Sequence, residues 1–335
     1  MKKYILIAIV LFLSSCFGKK EIESIKLSGK SIGTFYHITY YDKYQRNFQD
    51  EVQEVLNQMM NSCNVFDANS TLSKLNANSS NQMDTIIRDI LQKALYVSEK
   101  SNGYFDVTAG TLINLWGFGS AGKNNNEINQ QMIDSVLLIV GYNKVHIGEN
   151  LTLVKENPDI TLNFGAIAKG YAVDQVARFF DSKGIDSYLI EIGGEISAKG
   201  KKPNGKAWTV GISAPDERNP LGQEIQTRIE LTNKSLATSG NYRNFYLVKE
   251  EKRVHTINPL TGHPADNELL SVTIIANDCT TADAFATAVM VAGLEEGLDI
   301  IANEPDIEAY FIYLTDDNTI RTHATKGFEA LLQKE

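Results

Sequence analysis

The sequence predicts an α+β fold with mixed, largely antiparallel sheets and packed helices. Segments with the alternation of strands and segments with the 3.6-residue period of helices both occur, but they do not follow the strict strand–helix–strand rhythm of a doubly wound sheet. Short turn signals separate several of the strand-like segments, which favours antiparallel pairing. No unit of 20 to 50 residues repeats, so a solenoid or propeller is excluded.

Strand patterns occur along most of the chain. Residues 25–41 are rich in β-formers, and Ile32 and Gly33 divide them into two strands. Residues 144–147 and 151–155 predict a hairpin, and a turn at 249–252 joins two later strands. The further predicted strands are 160–163, 188–192, 208–213, 225–231, 244–248, 254–257, 271–276 and 307–314.

Helical periodicity predicts the elements between these strands. The predicted helices are 47–63, 72–75, 86–101, 133–140, 166–180 and 281–292. Asn102 and Gly103 form a C-cap signal after the third of them. Stretches rich in Asn, Ser and Gly at 69–81 and 119–130 predict loops.

The N-terminus has the pattern of a targeting segment. Lys2 and Lys3 precede an apolar run at residues 4–13, which is shorter than the roughly 20 residues that a membrane-spanning helix needs. The run ends in Leu-Ser-Ser-Cys16, which resembles the bacterial lipoprotein cleavage box; the alternative is an ordinary secretory signal with a chance cysteine. We expect a signal peptide at 1–15, a tether at 16–24 and a folded domain at 25–335, long enough for two subdomains with a ligand site between them.

The net charge argues against nucleic acid as a partner, and the cysteine content argues against a zinc site. The formal net charge of −9 is opposite to the basic surface that binding to a nucleic-acid backbone requires. With Cys16 assigned to lipid, Cys63 and Cys279 remain, and they either pair or stay as buried thiols. No CxxC motif or Cys/His cluster occurs, which argues against a zinc site.

The sequence GAIAKG at residues 165–170 places glycines and a lysine where a predicted strand leads into a helix. Free N–H groups and the helix dipole favour an anion there, and Lys169 adds a full positive charge, so a phosphate suits the site. The motif is not a P-loop, because Tyr171 follows Gly170 where Lys-Ser/Thr is required. Alternatively, the glycines only allow close packing on the sheet.

Asp283 and Thr287 are four residues apart on one predicted helix and therefore share a face. A carboxylate and a hydroxyl are hard oxygen ligands that suit Mg²⁺. Alternatively, the helix dipole favours the Asp, and the Thr bonds back to a carbonyl. A phosphate-binding site together with a site for a hard metal ion predicts chemistry on a phosphoanhydride.

His255 ends a predicted strand and precedes the turn sequence NPLTG at residues 258–262. Beside a phosphate, a neutral imidazole can accept a hydroxyl proton. The alternative is a histidine bonded to the turn that it precedes.

These segments together resemble, in order and spacing, the ApbE family of FAD:protein FMN transferases. The matching motifs are SIGT at 31–34, SNGYFDVT at 101–108, LWGF at 115–118, GAIAKGYAVD at 165–174, IGGE at 192–195, SGNY at 239–242, HTINPLTG at 255–262 and ADAFAT at 282–287. The resemblance implies that FAD is cleaved at its pyrophosphate with Mg²⁺, that AMP is released, and that FMN is transferred through a phosphoester to a Ser or Thr of a partner protein.

The resemblance also implies roles for individual residues. Asp283, Thr287 and the backbone carbonyl of Ala166 would hold Mg²⁺, and His255 would be the catalytic base. The implied FAD-binding residues are Ile32, Phe66, Asp106, Val107, Thr108, Asn163, Lys169 and Ile257. Asn163 and Asn258 stand where the family often has Asp, and each keeps an oxygen acceptor without the charge.

The expected partners are FAD and a flavin-acceptor subunit of a membrane redox complex. The expected location is the bacterial inner membrane, on the periplasmic side, anchored by lipid on Cys16. Two alternatives differ in chemistry: a FAD pyrophosphatase that uses water as the nucleophile, and a flavin-binding lipoprotein without catalysis.

Overall fold

A computed structural model describes residues 22–215, 224–240, 245–248, 251–254 and 256–333. Within them, an eight-stranded antiparallel sheet has the order β1-β2-β5-β6-β9-β12-β13-β14. Its strands are β1 (Ser24–Ser31), β2 (Thr34–Tyr41), β5 (Tyr188–Ile192), β6 (Glu195–Lys199), β9 (Lys234–Gly240), β12 (Leu269–Ala276), β13 (Glu308–Leu314) and β14 (Ile320–Ala324). Three two-stranded ribbons pair β3 (Val145–Ile147) with β4 (Leu153–Lys155), β7 (Trp208–Ser213) with β8 (Ile225–Leu231), and β10 (Phe245–Val248) with β11 (Glu251–Val254).

The helices of the described residues follow in chain order. They are α1 (Gln49–Cys63), α2 (Thr71–Asn76), α3 (Thr85–Lys100), α4 (Gly110–Leu115), α5 (Gln130–Leu137), α6 (Ala168–Ser182), α7 (Cys279–Ala292), α8 (Leu294–Ala302) and α9 (Lys326–Glu329). No helix in this part of the chain has both the length and the apolar character needed to cross a bilayer.

Helices α6 and α7 pack on one face of the large sheet, and α1 and α3 pack against them from outside. Helix α7 is apolar on nearly every side and almost completely buried, as expected for a helix enclosed by other elements. The main hydrophobic core lies between the sheet and this helical layer, and it includes Tyr36, Phe180, Phe285 and Phe311.

The opposite face of the sheet is covered by the β7–β8 ribbon and α9. Trp208, Ile229 and Leu231 of the ribbon pack with Tyr310 of β13 and Phe328 of α9 in a second core. The sheet is therefore the middle of three layers, which explains why both faces of β12 are buried.

A third, smaller core joins α4 and α5 to the turn that follows β11. Trp116 donates its indole N–H to the carbonyl oxygen of Gly262 at 2.7 Å. Ile257 packs in the same core and is 7% exposed. These contacts hold the 256–263 segment against the α4 region.

The sequence predicted most of these elements within a few residues. The hairpin divided at Ile32 and Gly33, the helices over 47–63, 86–101 and 281–292, and the 144–155 hairpin are confirmed. The predicted strand at 160–163 is wrong. Thr161 forms only an isolated bridge to Ala109, because the segment beside it is the loop that leads into α4 rather than a strand.

Other elements were not expected from the sequence. They are α4, α8, α9, β6, β9 and β14, and β11 begins within the predicted turn at 249–252. Small and polar residues dominate β6 and β9, so neither shows the alternation of a strand, and neighbouring strands impose their conformation. Cys63 and Cys279 are both free thiols.

Candidate active site

A cavity of about 590 Å³ opens where the first turn of α6 meets the middle of α7. Its wall also includes the 104–109 loop, the β5–β6 turn, the end of β9 and the segment 256–259. The volume is in the range of cofactor-binding pockets. The wall is therefore built from parts of the chain that are far apart in sequence.

Asp283 lies at the meeting point of the two helices. Helix α7 begins at Cys279, directly after Asp278, whose side chain caps it by accepting the N–H of Thr281 at 2.8 Å. Asp283 therefore lies in the second turn of α7. Asp283 is 5% exposed, and its Oδ2 accepts the N–H of Gly170 at 2.9 Å. Thr287, one turn later on α7, lines the same cavity.

Lys169 lies between two buried carboxylates. Its Nζ is 3.0 Å from Oε1 of Glu195 and 3.6 Å from Oδ1 of Asp283. Burial lowers the pKa of Lys169, but the attraction of Asp283 and Glu195 outweighs burial and raises the pKa above its ordinary value. Lys169 is therefore a constant positive charge on the cavity wall.

The start of α6 differs from the expected phosphate-binding site, because one of its N–H groups has a partner within the chain. The anion that accepts the N–H of Gly170 is the carboxylate of Asp283, so this donor is already used within the chain. The favourable effect of the helix N-terminus on an anion therefore acts on Asp283. Lys169 remains the positive group that faces the cavity from this helix.

The sequence offered a second interpretation, in which the glycines at 165–170 allow close packing. Gly170 has this role, although it packs against helix α7 rather than the sheet. A Cβ at this position would lie 2.3 Å from the carbonyl oxygen of Cys279 and 2.7 Å from Cβ of Asp283. Only glycine lets α6 and α7 approach this closely.

Glu195 is a site residue to which the sequence assigned no role. It is 3% exposed, and among the described residues its Oε2 is the one buried side-chain oxygen or nitrogen without a hydrogen-bond partner. Burial raises the pKa of Glu195 against the opposing effect of Lys169, and the charge of Asp283 adds to the rise. A glutamate directly after Gly193 and Gly194, at the end of a buried strand, was the signal available in the sequence.

The 104–109 loop brings Asp106 and Val107 to the cavity. Asp106 accepts the N–H of Thr108 at 2.7 Å and its hydroxyl at 2.6 Å. Burial raises the pKa of Asp106, although these hydrogen bonds oppose the rise. Thr108 is 1% exposed and does not line the cavity, so its visible role is to orient Asp106. Asn163 lines the cavity and donates its N–H to the carbonyl oxygen of Val107 at 2.8 Å.

Besides Thr108, two more of the implied FAD-binding residues do not line the cavity. Ile32 lies in the β1–β2 turn with a left-handed φ of 52°. The turn ends at Thr34, which packs against Gly193 of the cavity wall. Phe66 lies in the loop after α1 and is 75% exposed. Their roles in FAD binding stay predictions.

His255 lies outside the described residues, so its role as a base also stays a prediction. The two residues that follow it, Thr256 and Ile257, line the cavity. Ile257 pairs with Pro264 across the turn, and the N–H of Asn258 bonds to the carbonyl oxygen of His263 at 2.8 Å. Asn258 therefore helps to close this turn through its backbone.

The oxygen atoms available at the helix junction suit a hard divalent cation. Asp283 offers a carboxylate, Thr287 a hydroxyl and Ala166 a backbone carbonyl, and all three residues line the cavity. The part of the chain that the structure describes contains no group of three or more His, Cys, Asp or Glu residues able to hold a metal. Mg²⁺ does not need such a group, because it keeps several waters and binds phosphate oxygens.

The chain is similar to known proteins over most of its length. The sequence pattern of the ApbE family matches residues 32–311. The FAD:protein FMN transferase of Vibrio cholerae serotype O1 is 33% identical over 335 residues, covering 98% of each chain. That of Haemophilus influenzae is 32% identical over 349 residues, covering 99% of each chain.

Solved structures share the fold. The flavin transferase ApbE from Vibrio cholerae superposes with a TM-score of 0.82 at 32% identity, covering 93% of this chain and 100% of that one. The apo form of the flavinyl transferase ApbE from Pseudomonas stutzeri has a TM-score of 0.82 at 30% identity, covering 93% and 97%. The predicted α+β fold is confirmed.

Proposed function

The chain belongs to the ApbE family and transfers FMN from FAD to a target protein, and we propose that it does so with Mg²⁺, forming a phosphoester on a Ser or Thr hydroxyl. The observation that carries the proposal is the meeting of α6 and α7 at Asp283. The N–H of Gly170 fixes Oδ2 of Asp283, and Nζ of Lys169 lies 3.6 Å from Oδ1, so the carboxylate is held in place on the cavity wall, where it would act as a ligand.

The three oxygen donors Asp283, Thr287 and Ala166 would hold the metal, and phosphate oxygens of FAD and water would complete its shell. When bound, Mg²⁺ supplies positive charge that offsets the charge on the diphosphate. Lys169 contributes a second positive charge from the first turn of α6. Both positive charges would stabilise the charge that builds on the phosphate oxygens during the reaction.

The transfer is a displacement at phosphorus. The acceptor hydroxyl oxygen forms a bond to the phosphorus of the FMN half, the bond from this phosphorus to the bridging oxygen breaks, and AMP leaves with that oxygen. The hydroxyl proton goes to His255, the candidate base. The positions of Thr256 and Ile257 on the cavity wall support this assignment, since they are the next two residues of the chain.

The cavity also has the composition that a flavin needs. Phe105, Phe118 and Ile257 provide apolar surface for the isoalloxazine ring. Asp106 and Asn163 provide polar groups that fix its orientation. A wall that combines apolar surface with placed polar groups suits a ligand with both an apolar ring and a charged diphosphate.

The N-terminal pattern supports a location at the periplasmic side of the bacterial inner membrane. Lipid on Cys16 would anchor the chain, and only a short tether precedes β1, which begins at Ser24. This location would place the cavity near flavin-acceptor subunits of membrane redox complexes. The acceptor hydroxyl would come from such a subunit.

Mass spectrometry tests the reaction. The chain is incubated with FAD, Mg²⁺ and a candidate acceptor protein, and we expect the acceptor to gain the mass of FMN minus water while AMP appears in equal amount. Release of FMN and AMP without a modified acceptor would indicate a pyrophosphatase. FAD binding that is indifferent to Mg²⁺, with no AMP formed, would indicate a flavin-binding lipoprotein.

A variant of Asp283 tests the assignment of the metal ligands. Asp283→Ala should abolish Mg²⁺-dependent AMP release, because the fixed carboxylate at the helix junction is lost. Asp299→Ala is the matched control, since it removes an exposed carboxylate from the neighbouring helix α8. Normal AMP release by Asp283→Ala would refute the assignment.

A further inference from the structure

Asp174 lies one turn after Gly170 on α6, and it binds the start of α7. Its carboxylate accepts the backbone N–H groups of Cys279 and Thr280, each at 2.9 Å, and also the hydroxyl of Thr280. None of these donors belongs to its own helix. Asp174 therefore joins α6 to the first turn of α7.

A second contact joins the same helices in the opposite direction. The N–H of Gly170 on α6 donates to the side chain of Asp283 on α7. Gly170 and Asp174 are four residues apart, as are Cys279 and Asp283, so each helix supplies one backbone donor region and one carboxylate. The absence of a Cβ at Gly170 keeps the two helices in close contact between these bonds.

The first turn of α7 has a separate residue for ordinary capping. Asp278 accepts the N–H of Thr281 at 2.8 Å and its hydroxyl at 2.8 Å. Its other partner is Lys93 of α3, at 3.3 Å. The hydrogen bonds of Asp278 thus hold the start of α7 to itself and to α3, while those of Asp174 link the start of α7 to α6.

We propose that Asp174 is a positioning residue that sets α7 along α6, so that Asp283 and Thr287 stand at the correct distance from Ala166 and Lys169. A helix transmits a displacement of its first turn to the next turns, because its backbone hydrogen bonds make it stiff. Loss of Asp174 would therefore move the ligands without removing any of them. The inference rests on the proposed Mg²⁺ site.

The experiment compares four variants of the full chain in the presence of FAD. Asp174→Ala removes the link, Asp174→Asn keeps one oxygen acceptor, Thr280→Val removes only the hydroxyl contact, and Asp278→Ala is the control at the same helix end. The readout is the Mg²⁺ concentration that gives half of the metal-dependent rise in Tm. The rate of AMP release is measured alongside.

We expect Asp174→Ala to raise this Mg²⁺ midpoint by about tenfold or more, as the loss of a residue that orients a ligand typically does. Asp174→Asn and Thr280→Val should give smaller increases, and they carry the test if Asp174→Ala does not fold. Asp278→Ala should lower Tm and leave the midpoint within about twofold of wild type, because capping acts on helix stability.

Two results distinguish this inference from the metal proposal. If wild type shows a Mg²⁺-dependent rise in Tm that Asp283→Ala abolishes, while the Asp174 and Thr280 variants keep the wild-type midpoint, only the positioning role is refuted. If wild type shows no Mg²⁺-dependent rise, the metal site is refuted and the inference falls with it.

Discussion

Lys169 is the residue on which the charge balance of the cavity depends. Its ammonium group neutralises part of the charge of Glu195 and Asp283, whose side chains are only 4% and 7% exposed. Lys169 contacts Oε1 of Glu195, and Oε2 accepts no hydrogen bond from the part of the chain that the structure describes. Buried carboxylates without a cation are costly, so we expect Lys169 to contribute to folding as well as to the proposed catalysis.

Replacing Lys169→Met should affect both properties. Removing one partner of a buried ion pair costs about 3 kcal/mol, and losing a charge that faces the reacting phosphate lowers the rate about 100-fold. Urea unfolding measures the free energy of unfolding, and AMP release measures the rate.

Lys199→Met is the control for this substitution. Lys199 pairs with Asp181 at 2.9 Å, but both side chains are more than a third exposed, so the pair should contribute less than about 1 kcal/mol. If Lys169→Met and Lys199→Met are equally stable and equally active, the central role of Lys169 is wrong.

At the level of residues, local spacing predicted part of the site. The four-residue interval between Asp283 and Thr287 places both on the cavity wall, as a helix requires. The same reasoning did not find Glu195, because its partner Lys169 is brought to it by folding rather than by spacing. Local reasoning also did not anticipate that Asp283 accepts the N–H of Gly170.

The close contact of α6 with α7 is the element-level feature that builds the site. Gly170→Ala should destabilise the protein by about 1 to 3 kcal/mol, because the new methyl group meets the Cys279 carbonyl and the backbone must move. The separation of the helices should also weaken Mg²⁺-dependent activity. Thermal unfolding and AMP release measure the two effects.

Gly205→Ala separates this steric effect from the general cost of replacing a glycine. Gly205 has open space around it, and its φ of 79° makes alanine strained there for backbone reasons alone. That substitution should lower stability and leave activity per folded molecule unchanged. A Gly170→Ala protein with wild-type stability and activity would contradict the packing argument.

The elements that the sequence predicted best are those with their own strong pattern. Helix α3 has regular apolar spacing and a C-cap signal at Asn102 and Gly103, so its bounds were found within one residue. Strand β9 is buried through small residues and lies between β6 and β12, so its conformation depends on its neighbours. The prediction of a strand at 160–163 is wrong for the opposite reason, since this segment alternates apolar and polar residues but has no strand beside it.

For the whole molecule, the order of strands in the sheet was beyond local reasoning. Strand β2 pairs with β5, about 150 residues later in the chain, and β6 pairs with β9. Such long-range pairings bring the β5–β6 turn, α6 and α7 around one cavity. The α+β class followed from the mixture of periods, whereas the arrangement of the site requires the three-dimensional fold.

The anchoring of the whole molecule is testable through one residue. Cys16→Ser should abolish incorporation of labelled fatty acid and leave the chain uncleaved at the lipoprotein box, because the proposed anchor is attached through this thiol. Fatty-acid labelling and intact mass of the purified chain measure this. Labelling that persists in Cys16→Ser would show that the lipoprotein assignment is wrong.

The proposed metal lies where α6 and α7 converge, and it would hold the diphosphate of FAD. Anomalous diffraction from crystals of this chain grown with FAD and Mn²⁺ in place of Mg²⁺ tests this arrangement. We expect a manganese peak within ligand distance of Asp283, Thr287 and the Ala166 carbonyl, with diphosphate density beside Lys169. Manganese and FAD bound at any other place would contradict it.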